Sequence, residues 1–299
     1  MKHPRATYSN PRIDRPGAVA DAHAGVVRAD PVKIAWVGSM LILGTIGSAL
    51  TVSVGGVGIF LASTIITLCL GHSVGMHRRF IHRAYDCPKW MEYLFVHFGV
   101  LVGLAGPYGM LRTHDTRDWA QRQARCHDYF SHKSAWYRDL WWQLFCTIDL
   151  CYPPEFEMEA EIENDRVYRF MENTWMLQQL PWAVLFFWIG DWSWVFWGIC
   201  SRVTVSVFGH WLIGHFAHNT GGKIWHVTGA AVQGYNSPWS ALLTMGESWH
   251  NNHHAFPGSA RMGLDKGQWD PGWWVLLALR RLGLVSNLVT PESIEPRPE

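Results

Sequence analysis

The chain has 299 residues, a net charge of +1 and only 16% charged residues, beside 48% hydrophobic residues, 19 tryptophans and 16 histidines. Soluble domains of this size usually contain about a quarter charged residues, and a net charge near zero creates no field for nucleic acid. The composition therefore excludes a nucleic-acid-binding protein and indicates a membrane protein with polar clusters. The six cysteines form no close pair and are predicted to be reduced packing residues.

The first 32 residues are polar and rich in Arg, Asp, Pro and Ala, with no apolar core behind a basic head. This pattern predicts a disordered tail and not a cleaved signal peptide. Residues 33–283 are expected to form one membrane domain, and residues 284–299 a carboxyl-terminal tail.

Four apolar runs are predicted to span the membrane, at about residues 34–52, 57–72, 175–190 and 192–212. Glycine-containing turns separate the first run from the second and the third from the fourth, so the runs pair into two helical hairpins. Arg202 lies inside the fourth run, where a charge is costly, and is expected to face protein or to mark a shorter span. The interrupted apolar stretch from Leu94 to Leu111 predicts a re-entrant or interfacial segment.

Lys and Arg are missing from both hairpin tips and frequent in the amino-terminal, central and carboxyl-terminal segments. The positive-inside tendency therefore places both termini and the central segment on the cytoplasmic side. The predicted fold is an all-α integral membrane protein with two hairpins and a cytoplasmic helical cap. Every histidine cluster of the chain falls on the side of that cap.

The densest cluster lies in GESWHNNHHAFPGSAR, which runs from Gly246 to Arg261. His250, His253 and His254 are three and four residues apart, so a helix would place the three imidazoles on one face. That arrangement predicts binding of one metal ion or a bridge between two.

Three further clusters point to the same side of the membrane. The motif GHSVGMHRRFIH contains His72, His77 and His82, whose spacing of five is not a single α-helical face and requires a break. The others are LRTHDTRDWAQRQARCHDYF, residues 111–130, and GHWLIGHFAH, residues 209–218. A site with many histidines and a carboxylate suits iron in non-haem oxygen chemistry better than zinc.

HRRFIH and HNNHH resemble the histidine boxes of the membrane fatty-acyl desaturases, of the acyl-CoA Δ9 type also found in bacteria, over roughly residues 34–282. The resemblance implies a non-haem diiron centre in a bacterial inner membrane, which uses O2 to desaturate a fatty-acyl chain in lipid metabolism. A family histidine after the fourth span falls on His218. The family position that often carries a water-holding Asn falls on Gly214.

The second box departs from the family pattern HRxHH. An ungapped reading places His114 at the first histidine but Arg117 and Asp118 at the last two, and only Asp118 can bind a cation. A shifted reading recruits His127 through QARCH but needs an insertion. The ligand set implied by the resemblance is His77, His82, His114, Asp118, His218, His250, His253 and His254, with His127 and His72 as possible additions.

The acyl chain is expected to arrive on coenzyme A, a carrier protein or a lipid, and the basic residues Arg78, Arg79, Arg112 and Arg117 are candidate contacts for a phosphorylated carrier. The chain has no GxGxxG behind a strand and no cysteine set for an iron–sulfur cluster. A separate electron donor is therefore implied, such as a ferredoxin or a small cytochrome with its reductase. A hydroxylase on the same scaffold, a membrane haem protein and an idle binding protein are the alternatives.

Overall fold

The computed structural model describes residues 6–7, 10–13 and 19–297. Helices dominate these residues. The α-helices are α1 (Pro31–Ile42), α2 (Ser48–Leu50), α3 (Val54–Ile65), α4 (Lys89–Val100), α5 (Pro107–Arg122), α6 (Asp128–Ser131), α7 (Trp136–Phe145), α8 (Ala160–Glu163), α9 (Arg166–Asn173), α10 (Gln179–Val195), α11 (Arg202–Asn219), α12 (His250–Ala255) and α13 (Pro271–Arg281). Three π-helical segments occupy Leu43–Gly47, Ile66–Ile81 and Phe196–Ser201, and short 3₁₀ turns occupy Pro238–Ser240 and Pro291–Ser293.

Three helical segments of the described chain are long and apolar enough to cross a membrane: Pro31–Leu50, Val54–Ile81 and Gln179–Asn219. Each consists of α-helix interrupted or continued by one π-helical segment. Their surfaces expose large apolar side chains, among them Leu50, Val54 and Trp188. Because such surfaces are stable in lipid and not in water, the composition and the structure agree on a membrane protein.

The third of these segments is not one straight helix. Gly190 and Asp191 have non-helical backbone angles, and Asp191 has a positive φ of 59°. The ring of Phe186 lies so close to Gly198 that a Cβ on this glycine would be 2.8 Å from it. Twelve residues of continuous helix would separate these positions by about 18 Å, so the chain changes direction between them.

Small residues bring the membrane segments together. The backbone of Cys200 lies 3.0 Å from the position that a Cβ on Gly44 would take, and the hydroxyl groups of Ser48 and Ser201 are 2.7 Å apart. Close backbone approach and short polar contacts stabilise helix pairs in lipid, where apolar burial contributes little. Arg202 is buried, and its guanidinium donates to the carbonyl oxygen of Gly198. This arginine therefore faces protein, which is one of the two outcomes expected for it.

Helices α4 to α9 and α12 to α13 form a cap beside the membrane segments. A buried cluster joins the end of the second membrane segment to α4, α5 and α9, through Met76, Phe80, Val96, Leu111 and Met171. The interrupted stretch from Leu94 to Leu111 is divided between α4 and α5 and is not among the candidate spans.

Two small sheets depart from the predicted all-α fold. Strand β2 (Asp21–Ala29) pairs antiparallel with β3 (Cys146–Tyr152), and β1 (Ala6–Thr7) pairs parallel with β4 (Ile294–Glu295). The expected disordered tail thus contains an ordered strand, because β3 supplies hydrogen-bond partners that the local composition does not reveal. The rest of that predicted tail, residues 1–5, 8–9 and 14–18, lies outside the described residues.

Both ends of the described chain pack on the cap. Arg12 is buried and donates to the carboxylate of Asp115 at 2.6 Å. At the other end, Val289 donates its amide to Ala84 and accepts from Ala260. The segment after residue 283, expected as a tail, is therefore part of the cap through Arg297.

Candidate metal centre

The first histidine cluster consists of His77, His82, His114 and His253, whose nearest ring nitrogens all lie within 4.8 Å of one another. These residues come from three elements: the end of the second membrane segment, α5 and α12. Three of the four side chains are buried. Four imidazole nitrogens within this distance can surround a single metal ion.

The spacing of five between His77 and His82 is accommodated by the π-helical segment Ile66–Ile81. A π-helix forms hydrogen bonds from residue i to i+5, so residues five apart lie one above the other. The amide of His82 donates to the carbonyl oxygen of His77 at 3.1 Å, which continues this pattern. No break is needed, and the two Nε2 atoms lie 3.2 Å apart.

The second histidine cluster consists of His218, His250 and His254. His218 is at the end of α11, and the other two are on α12. The spacing of four places His250 and His254 on one face of α12, and their Nε2 atoms are 3.1 Å apart. Nε2 of His250 is also 3.0 Å from Nε2 of His218.

The two asparagines of HNNHH anchor the opposite face of α12. Asn251 accepts hydrogen bonds from the amides of Ile224 and Trp225, and Asn252 donates to the carbonyl oxygen of Met262. Buried amides of this kind fix a helix in rotation and position because each lost bond is costly. The motif thus turns its imidazoles toward the clusters and its amides toward the loops on both sides of α12.

Short contacts at Nδ1 orient two of the rings. Nδ1 of His77 lies 2.5 Å from Oε2 of Glu247, and Nδ1 of His218 lies 2.6 Å from the carbonyl oxygen of Gly214. A proton on each Nδ1 satisfies these acceptors and leaves a lone pair on Nε2, inside the cluster. Histidines that ligate metals are usually oriented in this way by a carboxylate or a carbonyl oxygen.

Burial favours the neutral imidazole at four histidines of the two clusters. It lowers the pKa of His254 to about 4. The pKa values of His82, His250 and His253 lie well below the ordinary value, because of burial first and neighbouring imidazoles second. Neutral imidazole is the form that binds metal, so the buried, converging nitrogens of both clusters fit metal ions.

Glu247 connects the first cluster to a buried ion network. Besides His77, its carboxylate accepts from Oγ of Ser73 at 2.6 Å and lies 3.4 Å from the guanidinium of Arg78. Burial alone would raise the pKa of Glu247, but His77 and Arg78 hold that pKa well below its usual range. The glutamate is therefore ionised and fixes the tautomer of His77.

The structure does not bring one predicted ligand, Asp118, or the two possible additions, His127 and His72, into either cluster. Asp118 receives two hydrogen bonds from Arg297, at 2.8 and 2.9 Å, and one from Arg122 at 3.1 Å. His127 accepts from the amide of Tyr129 at the start of α6 and is not part of a cluster. His72 stacks 6.3 Å from His77 and also remains outside.

The candidate carrier contacts are mostly engaged inside the protein. Arg78 is completely buried and bonds Asp270 at 2.8 Å. Arg79 pairs with Glu92 at 2.6 Å, and Arg117 donates to Gln143 at 2.6 Å. Arg112, which is exposed and lies over the ring of Phe156, remains available at the surface.

A third group was not singled out by the sequence and is named here the Asp139 hub: Asp139, His132, His215 and Trp211. The carboxylate of Asp139 lies 2.9 to 3.1 Å from the Nδ1 atoms of both histidines and accepts from the indole of Trp211 at 2.9 Å. His215 lies in a motif already noted, but His132 and Asp139 stand alone in their stretch of sequence. Their spacing of seven gives no signal of a shared site, and Glu247 was recognisable only as a neighbour of the third box.

Curated relatives cover most of the chain. An sn-1 stearoyl-lipid 9-desaturase of Anabaena variabilis is 32% identical over 263 residues, which are 86% of this chain and 94% of that protein. The chain belongs to the membrane fatty-acyl desaturase family. An sn-1 stearoyl-lipid 9-desaturase of Synechocystis sp. is 33% identical over 76% of this chain and 70% of its own length. An acyl-CoA 5-desaturase of Anemone leveillei is 27% identical over 80% of the chain and 74% of its own length.

No family model matches the chain. The agreement between the relatives and the clusters nevertheless confirms the recognised family and identifies the protein as an oxidoreductase of fatty-acyl chains. The desaturase interpretation is accordingly favoured over the hydroxylase alternative.

Proposed function

We propose that this desaturase introduces a double bond into the fatty-acyl chain of a membrane lipid, at a diiron centre held by the two histidine clusters, with O2 as co-substrate. The observation that carries the proposal is the pair of adjoining clusters of converging, mostly buried imidazole nitrogens. His253 and His254 are neighbours in sequence but belong to different clusters. Two ions bound by them would therefore be close enough to act together on one substrate.

The proposal includes four membrane spans in two hairpins, with both termini and the cap in the cytoplasm. The first hairpin would consist of Pro31–Leu50 and Val54–Ile81. Non-helical backbone at Gly190 and Asp191 and the contact of Phe186 with Gly198 support a second turn inside Gln179–Asn219. The positive-inside tendency of the sequence supports the orientation.

The two irons, when bound, supply the oxidising power needed for an unactivated methylene C–H bond, which no side chain provides. The residues of this chain orient the imidazoles toward the metal ions and keep water away from them. His77 and His218 keep their Nε2 lone pairs directed into the clusters through their Nδ1 partners. The buried position of His253 and His254 excludes water, which protects the oxidising centre from side reactions.

A lipid-linked substrate is favoured over acyl-CoA by the fate of the basic residues. Coenzyme A presents several phosphate charges and would need free cations near the entrance. Arg78 and Arg117 are engaged inside the protein, and Arg112 is the exposed member of the four candidates. Arg79, Arg83 and Lys89 line one surface cleft, where they are paired with the carboxylates of Glu92, Glu161 and Asp165. A neutral or lipid-anchored acyl chain requires no such cation cluster and can enter from the bilayer.

Electrons must come from a separate donor, either a ferredoxin or a small cytochrome with its reductase. The sequence carries no nucleotide-binding or iron–sulfur motif that would replace it. The cap is the part of the protein nearest to both clusters, so the donor is expected to dock there.

The decisive experiment compares wild type with His253→Ala and His127→Ala, measuring iron per chain in detergent and fatty-acid profiles of expressing cells. We expect about two irons per chain and a new unsaturated acid, with the double bond at carbon 9, from wild type and from His127→Ala. His253→Ala should lose the iron of the first cluster, leaving about one iron per chain, and should make no unsaturated product. Wild-type protein that binds iron but yields a hydroxylated acid would overturn desaturation.

The form of the substrate is tested with the same preparations. Isotopically labelled stearoyl lipid in liposomes and stearoyl-CoA are offered separately, with reductant and O2. Conversion of the lipid without conversion of stearoyl-CoA supports the lipid-linked substrate, and the reverse result assigns the enzyme to acyl-CoA.

A further inference from the structure

The second histidine cluster has one imidazole fewer than the first, and its expected second-box partners are occupied elsewhere. Arg117 cannot bind a cation, and Asp118 is bound by Arg297 and Arg122. Outside the two clusters, the part of the chain that the structure describes has one buried histidine, and one of its ring nitrogens has no hydrogen-bond partner. That residue is His132.

His132 is 1% exposed, and its Nε2 has no partner. Its Nδ1 lies 3.0 and 3.1 Å from the two carboxylate oxygens of Asp139. A proton on Nδ1 therefore leaves the lone pair on the unpartnered Nε2, as in histidines that a carboxylate orients toward a metal. A buried nitrogen without a hydrogen-bond partner costs free energy, so we expect Nε2 of His132 to bind a partner such as a metal ion.

The ring of His132 lies directly against the second cluster. It stacks on His218 with ring centroids 5.3 Å apart and planes inclined by only 6°. It also fills the space beside Gly214, where an added Cβ would lie 3.2 Å from Cε1 and 3.4 Å from Nε2. The carbonyl oxygen of Gly214 in turn accepts a hydrogen bond from Nδ1 of His218. His132 and His218 therefore both contact Gly214.

The backbone at His132 is held in an unusual conformation. Its φ of 55° and ψ of 25° lie in the left-handed region, which glycine adopts at little cost and other residues rarely adopt. The side-chain amide of Asn219, the last residue of α11, donates to the carbonyl oxygen of His132 at 2.9 Å. Backbone strain that is over-determined by neighbours is common at functional sites, where it places a side chain.

The altered second box contributes to this placement. Arg117 donates to Oε1 of Gln143, whose Nε2 lies 3.3 Å from Asp139. A chain of contacts thus runs from the residue that replaces a box histidine to the carboxylate that orients His132. The Asp139 hub itself is a poor cation site, because Trp211 can only donate and both histidines present their Nδ1 atoms to the same carboxylate.

We propose that His132 is the additional nitrogen ligand of the metal ion in the second histidine cluster, and that it takes the place of one of the two imidazoles missing from the second box. This inference rests on the proposed metal centre but not on the nature of the reaction. Arg117, Gln143 and Asp139 are then positioning residues that act through His132.

The test measures ferrous iron binding to the full chain in detergent, after removal of metal with a chelator and anaerobic titration. His132→Gly removes the imidazole and relaxes the left-handed backbone, while His132→Gln keeps much of the volume. His215→Gln is the matched control, because it removes the other imidazole on Asp139 and leaves the contacts of His132 and His218 with Gly214 intact. Circular dichroism and retention of iron by the first cluster report on folding.

We expect wild type and His215→Gln to bind two irons, and both His132 variants to keep one tightly and bind the other at least about tenfold more weakly. Gly214→Ala should weaken the same ion by crowding His132, and should have no further effect when combined with His132→Gly. Two irons bound with wild-type affinity by a folded His132 variant, or an equal loss in His215→Gln, would overturn the proposal.

The outcome also separates this inference from the proposed function. Wild-type protein that shows this pattern of iron binding but makes no unsaturated acid refutes the function and supports the ligand. Wild-type protein that desaturates and keeps both irons in the His132 variants refutes only the ligand. Wild-type protein that binds no iron refutes both.

Discussion

The two histidine clusters stand side by side but are built in different ways. The first draws its four imidazoles from positions that all lie in recognisable motifs: His77, His82, His114 and His253. The second has His218, His250 and His254 and adjoins a histidine from an unremarkable stretch of sequence. On the ligand set proposed above, the second site keeps its place beside the first while one of its ligands comes from a different element.

The sharpest test of this difference uses neighbouring residues. Replacing His253 with Ala is expected to remove the ion of the first cluster. Replacing His254 with Ala is expected to remove the ion of the second cluster, because each substitution deletes a ligand of one cluster only. Either change should abolish product formation, since both ions are required together. Iron per chain and Mössbauer spectra of the two variants measure which environment disappears. Loss of the same iron signal from both would mean that the clusters form a single site.

A second prediction concerns the support of the first cluster. Glu247→Gln weakens the acceptor for Nδ1 of His77, so iron affinity at the first cluster should fall by about 10- to 100-fold while the second cluster is unchanged. Anaerobic titration with ferrous iron measures both affinities. Ser73→Ala removes only a hydrogen bond to Glu247 and serves as control, with an expected change of less than about threefold. An equal effect of the two substitutions would assign Glu247 a packing role.

A third prediction distinguishes a ligand from a structural ion pair. Asp118→Ala should leave both irons in place but lower stability by about 3 kcal/mol, because the buried guanidinium of Arg297 loses the carboxylate of Asp118. The double variant with Arg297→Ala should be more stable than the single one. Thermal inactivation in detergent and iron per chain measure the two effects. Loss of an iron from Asp118→Ala would restore the sequence prediction that this residue is a ligand.

The ion pair between Asp118 and Arg297 makes the stability of the protein depend on pH. Burial would raise the pKa of Asp118, but Arg297 and Arg122 hold that pKa well below its usual range. The stabilisation is therefore complete above the ordinary aspartate pKa of about 3.9. It is lost as the pH falls through the lower pKa that Asp118 has in the folded protein. The stability difference between wild type and Asp118→Ala should be constant from neutral pH to about 4.5 and shrink only in stronger acid.

The smallest effect is expected at His127. His127→Ala removes a cap from the short helix α6 and should cost about 1 kcal/mol, with no change in iron content or product. Iron analysis beside a melting curve checks both. A variant that loses iron would support the shifted reading of the second box.

The sequence predicted the parts of the site that depend on local spacing. The face shared by His250, His253 and His254 follows from their spacing on a helix, and the apolar runs follow from hydropathy. The pairing of His77 with His82 was recognised only through the family resemblance, because a spacing of five has no common face on an α-helix. A π-helical segment supplies that face, and periodicity analysis at 3.6 residues per turn does not detect it.

What the sequence could not predict depends on contacts across long separations. Arg297 is 179 residues from Asp118, and His132 is 86 residues from His218, so no motif links either pair. The same limit explains the missed strand Asp21–Ala29, whose partner lies more than 100 residues away. Buried arginines such as Arg78 were mistaken for surface contacts because a sequence does not show where a cation finds its counter-ion.

The last described residue has a practical importance for work with this enzyme. Arg297 binds Asp118 on α5 with its guanidinium and, through its amide, the carbonyl oxygen of Ala255 at the end of α12. Arg297 thus connects α12, which carries three of the histidines, to α5, which carries His114. A purification tag fused directly behind Arg297, or a protease that trims this end, would disturb the frame of both clusters.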